Sequence, residues 1–282
     1  MAFTFANVLG KSALVDGDKF FDLASISKGM VSADPMESLA EPQALHRLSA
    51  GLENFSASGI IDEVELEAPV PRPANSFGIG LNYQTHVDEA EMATPDVPMV
   101  FAKLPSCIAG PKSEVLMRSD ECDYEGELVV VIGPGGKDIP EETAWEHVLG
   151  LSVGQDFSDR GAQFMSSPAQ FTLGKSMDSF GPIGPALVST DSFKTPDNLE
   201  LRTWVNGELR QHDRTSNLIF GIPKLVSFLS RFVTLCSGDL IFTGTPEGVG
   251  FRNGVFLKDG DMVRTSIEGI GTLENRCVRI PD

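Results

Sequence analysis

The pattern of apolar and polar positions predicts a chain built mainly of short strands. From residue 77 onward, short apolar runs rich in β-branched residues alternate with turn residues, which is typical of strands rather than long helices. The unbroken, valine-rich run at 128–132 predicts a buried strand. Apolar residues recur at helical spacing in few places, roughly at 140–148 and 220–231. The sequence therefore predicts a mixed α/β fold that is rich in β-structure.

The first seventy or so residues have a different character from the rest. Residues 13–24 predict two short strands joined by a hairpin turn at Asp16-Gly17-Asp18. Residues 35–55 predict helical segments interrupted by Pro42. Residues 69–75 contain three prolines and predict a linker. We therefore expect a small N-terminal α+β domain over residues 1–72 and a larger domain over residues 73–282.

Composition and charge narrow the classes of partner. The chain has 282 residues, of which 41% are hydrophobic and 22% charged, as in ordinary soluble proteins. Its formal net charge of −18 repels phosphate groups, so we expect neither nucleic acid nor an anionic membrane as a partner. No apolar run reaches the roughly eighteen residues of a membrane span, and the N-terminus lacks the pattern of a signal peptide. The four cysteines show no C-x-x-C spacing, which predicts reduced thiols and a cytoplasmic location.

Three acidic residues lie next to apolar runs and form a candidate metal site. Glu125 and Glu127 are two apart at the start of the buried strand, so their side chains are expected on the same face. Two carboxylates held that close must share a proton, meet a cation or bind a metal. Asp156, which follows the apolar stretch at 148–153, is a candidate third ligand. An all-oxygen set suits Mg²⁺, Mn²⁺ or Ca²⁺; the alternative interpretation is a solvated strand edge.

A second candidate group is His86 with Glu89. Three residues apart, they would face each other on a helical turn. A carboxylate beside an imidazole orients the ring and raises its basicity, which suits a general base. The alternative interpretation is a surface pair on a mobile loop.

Six segments resemble, in order, the motifs of the fumarylacetoacetate hydrolase family, over roughly residues 77–275. They are GLNYQTHVDEA (80–90), MVFAKLPSCIAGP (99–111), DYEGELVVVIG (123–133), GKSMDSFGPIGPALV (174–188), VNGELRQHDRTSNLIF (205–220) and LCSGDLIFTGTPEGVG (235–250). The resemblance implies a β-roll catalytic domain of that family type, a homodimer, and a role in the catabolism of aromatic compounds. The sequence departs from the family pattern at Gln155, where asparagine is usual, and at Asp159, where alanine is usual.

The resemblance also implies roles for individual residues. Glu125, Glu127 and Asp156 match the family's metal ligands. His86 and Glu89 match a catalytic pair on a lid over residues 86–98 that becomes ordered when substrate binds. Lys175 matches a cation that stabilises an enolate. Gln163, Thr245 and Tyr83 match residues that contact the substrate.

The reaction implied by the resemblance is hydrolysis of a C–C bond in a 2-oxo or 1,3-dicarbonyl acid, such as an acylpyruvate or fumarylpyruvate. His86 and Glu89 would activate water, and a divalent metal, Mg²⁺ or else Mn²⁺ or Ca²⁺, would stabilise the enolate with Lys175. Decarboxylation of an oxaloacetate-like acid and isomerisation of a 2-hydroxydienoate remain alternatives because they share that enolate. A catalytically silent binding protein is the alternative of another class.

Overall fold

The strands of residues 2–281, the part of the chain that the computed structural model describes, form three β-sheets. The strands are β1 Thr4–Val8, β2 Lys11–Asp16, β3 Lys19–Asp22, β4 Gly59–Ile60, β5 Leu66–Glu67, β6 Ser76–Gly80, β7 Met99–Ala102, β8 Ile108–Ala109, β9 Val115–Met117, β10 Cys122–Asp123, β11 Gly126–Ile132, β12 Val148–Gln155, β13 Ser158–Asp159, β14 Gly181–Ser189, β15 Glu200–Val205, β16 Glu208–Arg214, β17 Leu240–Phe242, β18 Met262–Ile267 and β19 Gly271–Arg279. The predicted mixed, β-rich α/β class is confirmed.

Helices in the described chain are short. The α-helices are α1 Leu23–Ile26, α2 Pro35–Leu39, α3 Pro42–Ser49, α4 Gln84–Glu89, α5 Arg160–Gln163, α6 Phe171–Gly174, α7 Ile222–Phe232 and α8 Gly250–Asn253. Single 3₁₀ segments lie at Leu52–Asn54, Ile61–Glu63, Pro105–Cys107, Glu141–His147, Thr190–Ser192 and Thr215–Asn217. Both predicted helical regions are present, but the one at 140–148 is a 3₁₀ helix. Within residues 2–281, no helix has the length and hydropathy needed to cross a membrane.

The largest sheet carries β11 near its centre. Its strand order is β4-β3-β2-β1-β14-β12-β11-β17-β6-β7, with β5 added on β1 and β8 on β14. Every residue of β11 is buried, which confirms the buried strand predicted at 128–132. Its side chains alternate between two hydrophobic clusters, one with Leu128 and Val130 and the other with Val129 and Val131. Each such side chain contributes roughly 1.5–3 kcal/mol when fully buried, so the strand is a firm base for what precedes it.

The second large sheet covers one face of the first. Its five strands have the order β16-β15-β18-β19-β9, and β15, β18 and β19 contact β11, β12 and β14. Helix α7 contributes Ile222, Leu225 and Val226 to the same cluster as Leu128 and Val130. The start of β11 contacts both sheets, since Gly126 is paired with Gln155 of β12 and its N–H donates to Gln211 of β16.

The N-terminal region joins the large sheet directly. The predicted hairpin is confirmed as β2 and β3, and Pro42 begins α3. Strand β1 pairs antiparallel with β14, with Thr4 opposite Val188. Phe3 and Phe5 pack in the same cluster as Val129 and Val131. The expected division into residues 1–72 and 73–282 stays a prediction, since one sheet runs continuously through both parts.

Candidate metal centre and active site

Antiparallel pairing brings the three acidic residues together. Glu125 precedes β11, Glu127 lies at its start and Asp156 follows β12; Gly126 is paired with Gln155. One carboxylate oxygen from each of Glu125, Glu127 and Asp156 lies within 4.8 Å of the others, and all three residues are buried. A solvated strand edge does not describe this geometry.

Two lysines hold the carboxylates in place. Lys175 Nζ donates to Glu125 Oε2 at 2.7 Å, to Asp156 Oδ2 at 2.8 Å and to Ser158 Oγ at 2.8 Å. Lys103 Nζ donates to Asp156 Oδ1 at 2.5 Å and also to the backbone carbonyl oxygen of Lys175. Lys103 therefore fixes both a candidate ligand and the chain at Lys175.

Lys103 was given no role by the sequence reasoning, although it lies in one of the family-like segments. It is among the largest fully buried side chains of the described protein, and its ammonium group lies 5.2 Å from the ring centroid of Phe242. Burial would lower its pKa, but the charge of Asp156 outweighs burial and raises the pKa. A buried lysine that stays charged needs such a partner. The signal in the sequence was the position of Lys103 inside the family-like segment 99–111.

The buried charges at this centre do not balance. Burial would raise the pKa of Glu125, but Lys175 and Arg160 outweigh it and lower that pKa to about 2. Burial raises the pKa of Glu127 well above its usual value, and the charges of Asp156 and Glu125 raise it further. Four buried carboxylates meet three buried cations here. The carboxylates are those of Asp123, Glu125, Glu127 and Asp156, and the cations are Lys103, Lys175 and Arg160. Among these four acids of the described chain, Glu127 alone has no ion pair.

This donor set fits a divalent cation. A hard ion would bind the oxygens of Glu125, Glu127 and Asp156, and its charge would offset the surplus carboxylate. Glu127 Oε2 already accepts a hydrogen bond from the backbone N–H of Gly244 at 2.7 Å, which orients the group. The carboxylate cluster is thus able to bind a metal, and the identity of the ion belongs to the proposal below.

The backbone between the two glutamates is held from three sides. The N–H of Glu125 donates to Gln155 Oε1 at 2.9 Å, and the N–H of Gly126 donates to Gln211 Oε1 at 2.9 Å. The hydroxyl of Thr245 donates to the carbonyl of Gly126 at 3.0 Å and accepts from Gln211 Nε2 at 2.8 Å. These contacts limit how far the carboxylates can move, because their backbone is fixed.

The predicted histidine–glutamate pair is present on α4. His86 Nδ1 lies 3.2 Å from Glu89 Oε2. Glu89 Oε1 accepts from the backbone N–H of Gly248 at 3.0 Å. Val87 and Ala90 are buried, so the helix is anchored beneath the pair. The two side chains face each other as the spacing predicted, and they are partly buried rather than fully at the surface.

A cavity of about 360 Å³ is lined by His86 of the pair and by Glu125 of the carboxylate cluster. Its polar and charged lining comprises His86, Glu125, Arg160, Gln163, Lys175, Thr245 and Arg252. Its apolar lining includes Ile79, Leu81, Met92, Met99, Phe101, Phe164, Phe171, Val249 and Phe251. Two pairs of aromatic rings stack in this wall, with centroid distances of 5.8 Å for Phe101 and Phe171 and 5.1 Å for Phe164 and Phe251.

The predicted substrate contacts differ in where they lie. Gln163 and Thr245 line the cavity, and Gln163 Oε1 accepts from Arg160 Nη1 at 2.9 Å. Arg160 also donates to Glu125 Oε1 at 2.6 Å. Tyr83 is fully buried, its hydroxyl has no hydrogen-bond partner in the described chain, and it is not part of the cavity lining. The substrate roles of all three residues stay predictions.

Two sequence comparisons relate this chain to known proteins. The model of the fumarylacetoacetate (FAA) hydrolase C-terminal domain matches residues 75–278. An oxaloacetate tautomerase of Bacillus subtilis, YisK, is 43% identical over 224 residues, which cover 77% of this chain and 74% of that protein.

Two solved structures extend the likeness to the whole chain. A Mycobacterium smegmatis structure described as an HpcE protein superimposes with a TM-score of 0.92 at 41% identity, covering 100% of both chains. Maleylpyruvate hydrolase from Sphingobium sp. SYK-6, in complex with manganese(II) and pyruvate, gives a TM-score of 0.83 at 27% identity and covers 99% of this chain and 100% of that one. With a family model matching most of its length, and relatives well above 30% identity, the chain belongs to the fumarylacetoacetate hydrolase family.

Proposed function

We propose that this protein is a divalent-metal enzyme that interconverts the keto and enol forms of a small 2-oxo acid such as oxaloacetate. The observation that carries the proposal is the position of His86, which is paired with Glu89 and lines the same cavity as Glu125 and Lys175. A base and a cation that face one cavity are the two groups that enolisation needs. The activity named for the Bacillus subtilis relative supports this choice.

The carboxylate cluster and the histidine–glutamate pair have separate roles in this reaction. Glu125, Glu127 and Asp156 would hold a divalent metal, which would supply Lewis-acid stabilisation of developing negative charge. Glu89 accepts a hydrogen bond from Nδ1–H of His86, which leaves Nε2 as the nitrogen that takes a proton from C3 of the acid. As that C–H bond breaks, its electron pair forms the C2–C3 double bond and negative charge passes to the C2 oxygen.

Lys175 and the cavity wall stabilise that charge. The ammonium group of Lys175 lies among the carboxylates at 2.7–2.8 Å, so it is fixed before the charge develops. The ring of Phe101, which stacks on Phe171, lies 5.3 Å from the ammonium group of Lys175. This apolar surface beside the charge strengthens the electrostatic interactions there. Return of the proton from His86 Nε2 to the oxygen gives the enol, and its return to C3 gives the keto form.

Hydrolysis of a C–C bond, the reaction that the sequence led us to expect, is the second candidate. It requires His86 to deprotonate a water molecule instead of C3, with the same cation stabilising the departing enolate. The name of the Sphingobium relative supports it at lower identity. Decarboxylation and dienoate isomerisation use the same enolate. The complete set of acids, base and cation disfavours a silent binding protein.

Enol absorbance and product mass, measured together, separate these reactions in one experiment. The purified protein would be incubated with Mg²⁺ or Mn²⁺ and, separately, with oxaloacetate, a fumarylpyruvate and a 2-hydroxydienoate. We expect the enol absorbance of oxaloacetate to decay faster than in the protein-free sample while the mass of the acid is unchanged. Gain of water with cleavage would identify a hydrolase, and loss of carbon dioxide beyond the metal-only rate would identify a decarboxylase. Either result without faster enol decay contradicts the proposed function.

A further inference from the structure

Arg252 stands apart from the other cations that line the cavity. Arg160 donates to Asp123 and Glu125, and Lys175 donates to Glu125 and Asp156. Both of those positive charges are therefore already matched by protein carboxylates. In the described part of the chain, the guanidinium of Arg252 has no carboxylate partner; its recorded contact is the ring of Phe251, 5.9 Å from Cζ.

The segment that carries Arg252 is fixed to the carboxylate centre. The backbone N–H groups of Gly250 and Phe251 donate to the two oxygens of Asp123, at 2.7 and 3.0 Å. Asp123 in turn accepts from Arg160, which donates to Glu125. Helix α8 is thus linked through hydrogen bonds to a candidate metal ligand. The backbone that carries Arg252 therefore has a defined position relative to the carboxylates, while its exposed side chain lines the cavity and can turn toward a ligand.

An apolar surface lies between the free arginine and the carboxylate centre. Phe251 stacks on Phe164 with the ring planes 18° apart, and both rings line the cavity. The guanidinium of Arg160 lies 5.6 Å from the centroid of Phe251, so this ring has a matched guanidinium and an unmatched one as neighbours. A ligand that follows this wall meets metal-binding oxygens at one end, an apolar surface in its middle and a positive charge at the other end.

The charge of the rest of the protein makes this arginine selective. With a formal net charge of −18, the surface repels an acid that carries two negative charges more than an acid that carries one. A guanidinium at the cavity offsets that repulsion locally and presents a planar donor pair that matches a carboxylate. An arginine with no protein partner is free to make that contact without first breaking another.

We propose that Arg252 binds the distal carboxylate of a dicarboxylic 2-oxo acid and so sets the substrate class of this site. The 2-oxo end lies at the carboxylate centre, and the carbon chain lies against Phe164 and Phe251. The inference rests on the proposed function for the position of the 2-oxo end. It makes a monocarboxylic acid such as pyruvate the poorer ligand.

Two probes of equal length test the assignment by calorimetry in the presence of Mg²⁺. 2-Oxoadipate carries the distal carboxylate and 2-oxohexanoate lacks it, while their 2-oxo ends are identical. We expect the unaltered protein to bind 2-oxoadipate at least about ten-fold more tightly, as one charge-assisted hydrogen-bonded pair provides. Arg252→Gln should remove most of that preference and change the affinity for 2-oxohexanoate less than about two-fold. Arg252→Lys should keep part of it, because a point charge remains without the planar donor pair.

Arg276→Gln is the matched control. Arg276 is exposed on β19, is not part of the cavity lining, and its loss changes the net charge equally. We expect this variant to bind both acids like the unaltered protein. An equal loss of preference in Arg276→Gln, equal weakening of both acids in Arg252→Gln, or an unaltered protein that does not favour 2-oxoadipate would each overturn the assignment.

Kinetics separate this inference from the proposed function. With a diacid that the enzyme turns over, Arg252→Gln should raise KM about ten-fold or more while kcat changes less than about two-fold, because the distal contact is present in both ground and transition states. A protein that binds 2-oxoadipate through Arg252 yet converts no 2-oxo acid would refute the proposed function and leave the carboxylate site standing. A fall in kcat with unchanged KM would refute the carboxylate site instead.

Discussion

Gln155 links the first candidate metal ligand to the second sheet. Its Oε1 accepts the backbone N–H of Glu125 at 2.9 Å, and its Nε2 donates to the hydroxyl of Thr265, on β18, at 2.7 Å. Asparagine, usual at this position in the family pattern, is one methylene shorter. The longer side chain spans from β12 to β18 and fixes Glu125 through its backbone.

Replacing Gln155 should therefore loosen the metal site. Gln155→Ala leaves the N–H of Glu125 and the hydroxyl of Thr265 buried without this partner, which costs about 1–3 kcal/mol of stability. We expect Mg²⁺ or Mn²⁺ affinity to fall roughly 10–100-fold, as for other groups that orient metal ligands. Thermal unfolding with and without metal measures both effects. Gln84→Ala, at an exposed glutamine, is the control, and equal metal-induced stabilisation of all three proteins would contradict the expectation.

The three carboxylates should be required for metal binding. Glu125→Ala combined with Glu127→Ala removes two of three candidate ligands, so we expect strongly reduced Mn²⁺ occupancy in equilibrium dialysis. The double variant Glu141→Ala and Glu142→Ala loses the same charge from the exposed start of the 3₁₀ helix at Glu141–His147 and should bind metal normally. Full occupancy of the first variant would show that the ion binds elsewhere.

His86 should be needed for turnover but not for metal binding. We expect His86→Ala to lose about 10²–10⁴-fold in rate, the usual contribution of one general base, with unchanged metal affinity. Glu89→Gln keeps an acceptor for Gly248 but loses the charge behind the ring, so a smaller loss is expected. Asp88→Asn, at an exposed residue on the same helix, serves as the control. Wild-type turnover by His86→Ala would assign the histidine another role.

The predicted lid should respond to ligand in its second half. Val87 and Ala90 anchor α4, whereas residues 91–97 are mostly exposed. Oxalate chelates a metal through two adjacent oxygens as the enolate of a 2-oxo acid does, so oxalate with Mg²⁺ should slow hydrogen exchange over residues 91–98. Oxalate without metal is the control. Unchanged exchange at saturating oxalate would mean that substrate entry is controlled by another segment.

A homodimer remains our prediction for the assembly. Strand β7 is at the edge of the large sheet, and its apolar residue Val100 is 39% exposed. Edge strands are usually shielded from pairing with other chains, so an exposed apolar edge is a candidate interface. Sedimentation at micromolar concentration should show twice the 30.3 kDa chain mass. Val100→Lys should shift the protein toward the monomer if β7 lies in the interface. A single 30.3 kDa species for the unaltered protein would refute the dimer.

Local spacing predicted those parts of the site whose residues are near in sequence. The two-residue spacing of Glu125 and Glu127 and the three-residue spacing of His86 and Glu89 each correspond to the repeat of one strand or helix. Lys103 and Asp156 are 53 residues apart, and their contact depends on how three segments meet inside the fold. No periodic pattern carries that information.

The same limit applied to the fold as a whole. The hairpin at Asp16-Gly17-Asp18 and the buried strand at 128–132 followed from turn residues and apolar runs. The pairing of β1 with β14 joins residues about 180 apart in the chain, and the proline-rich stretch at 69–75 gave no sign of it. A linker composition shows where a chain turns, but not which strands it later brings together.

The pairing of β1 with β14 has a consequence for cooperativity. Because Phe3 and Phe5 share a cluster with Val129 and Val131, heat should unfold the N-terminal strands and the strand leading from Glu125 in one calorimetric transition. A chain shortened to begin near residue 73 would leave unpaired the backbone groups near Leu187 and Val188 that β14 shares with β1, beside apolar side chains exposed by the cut. Such an edge is a template for pairing with other chains. We therefore expect the N-terminal strands to protect the protein from aggregation while they support β11, the strand that carries Glu127.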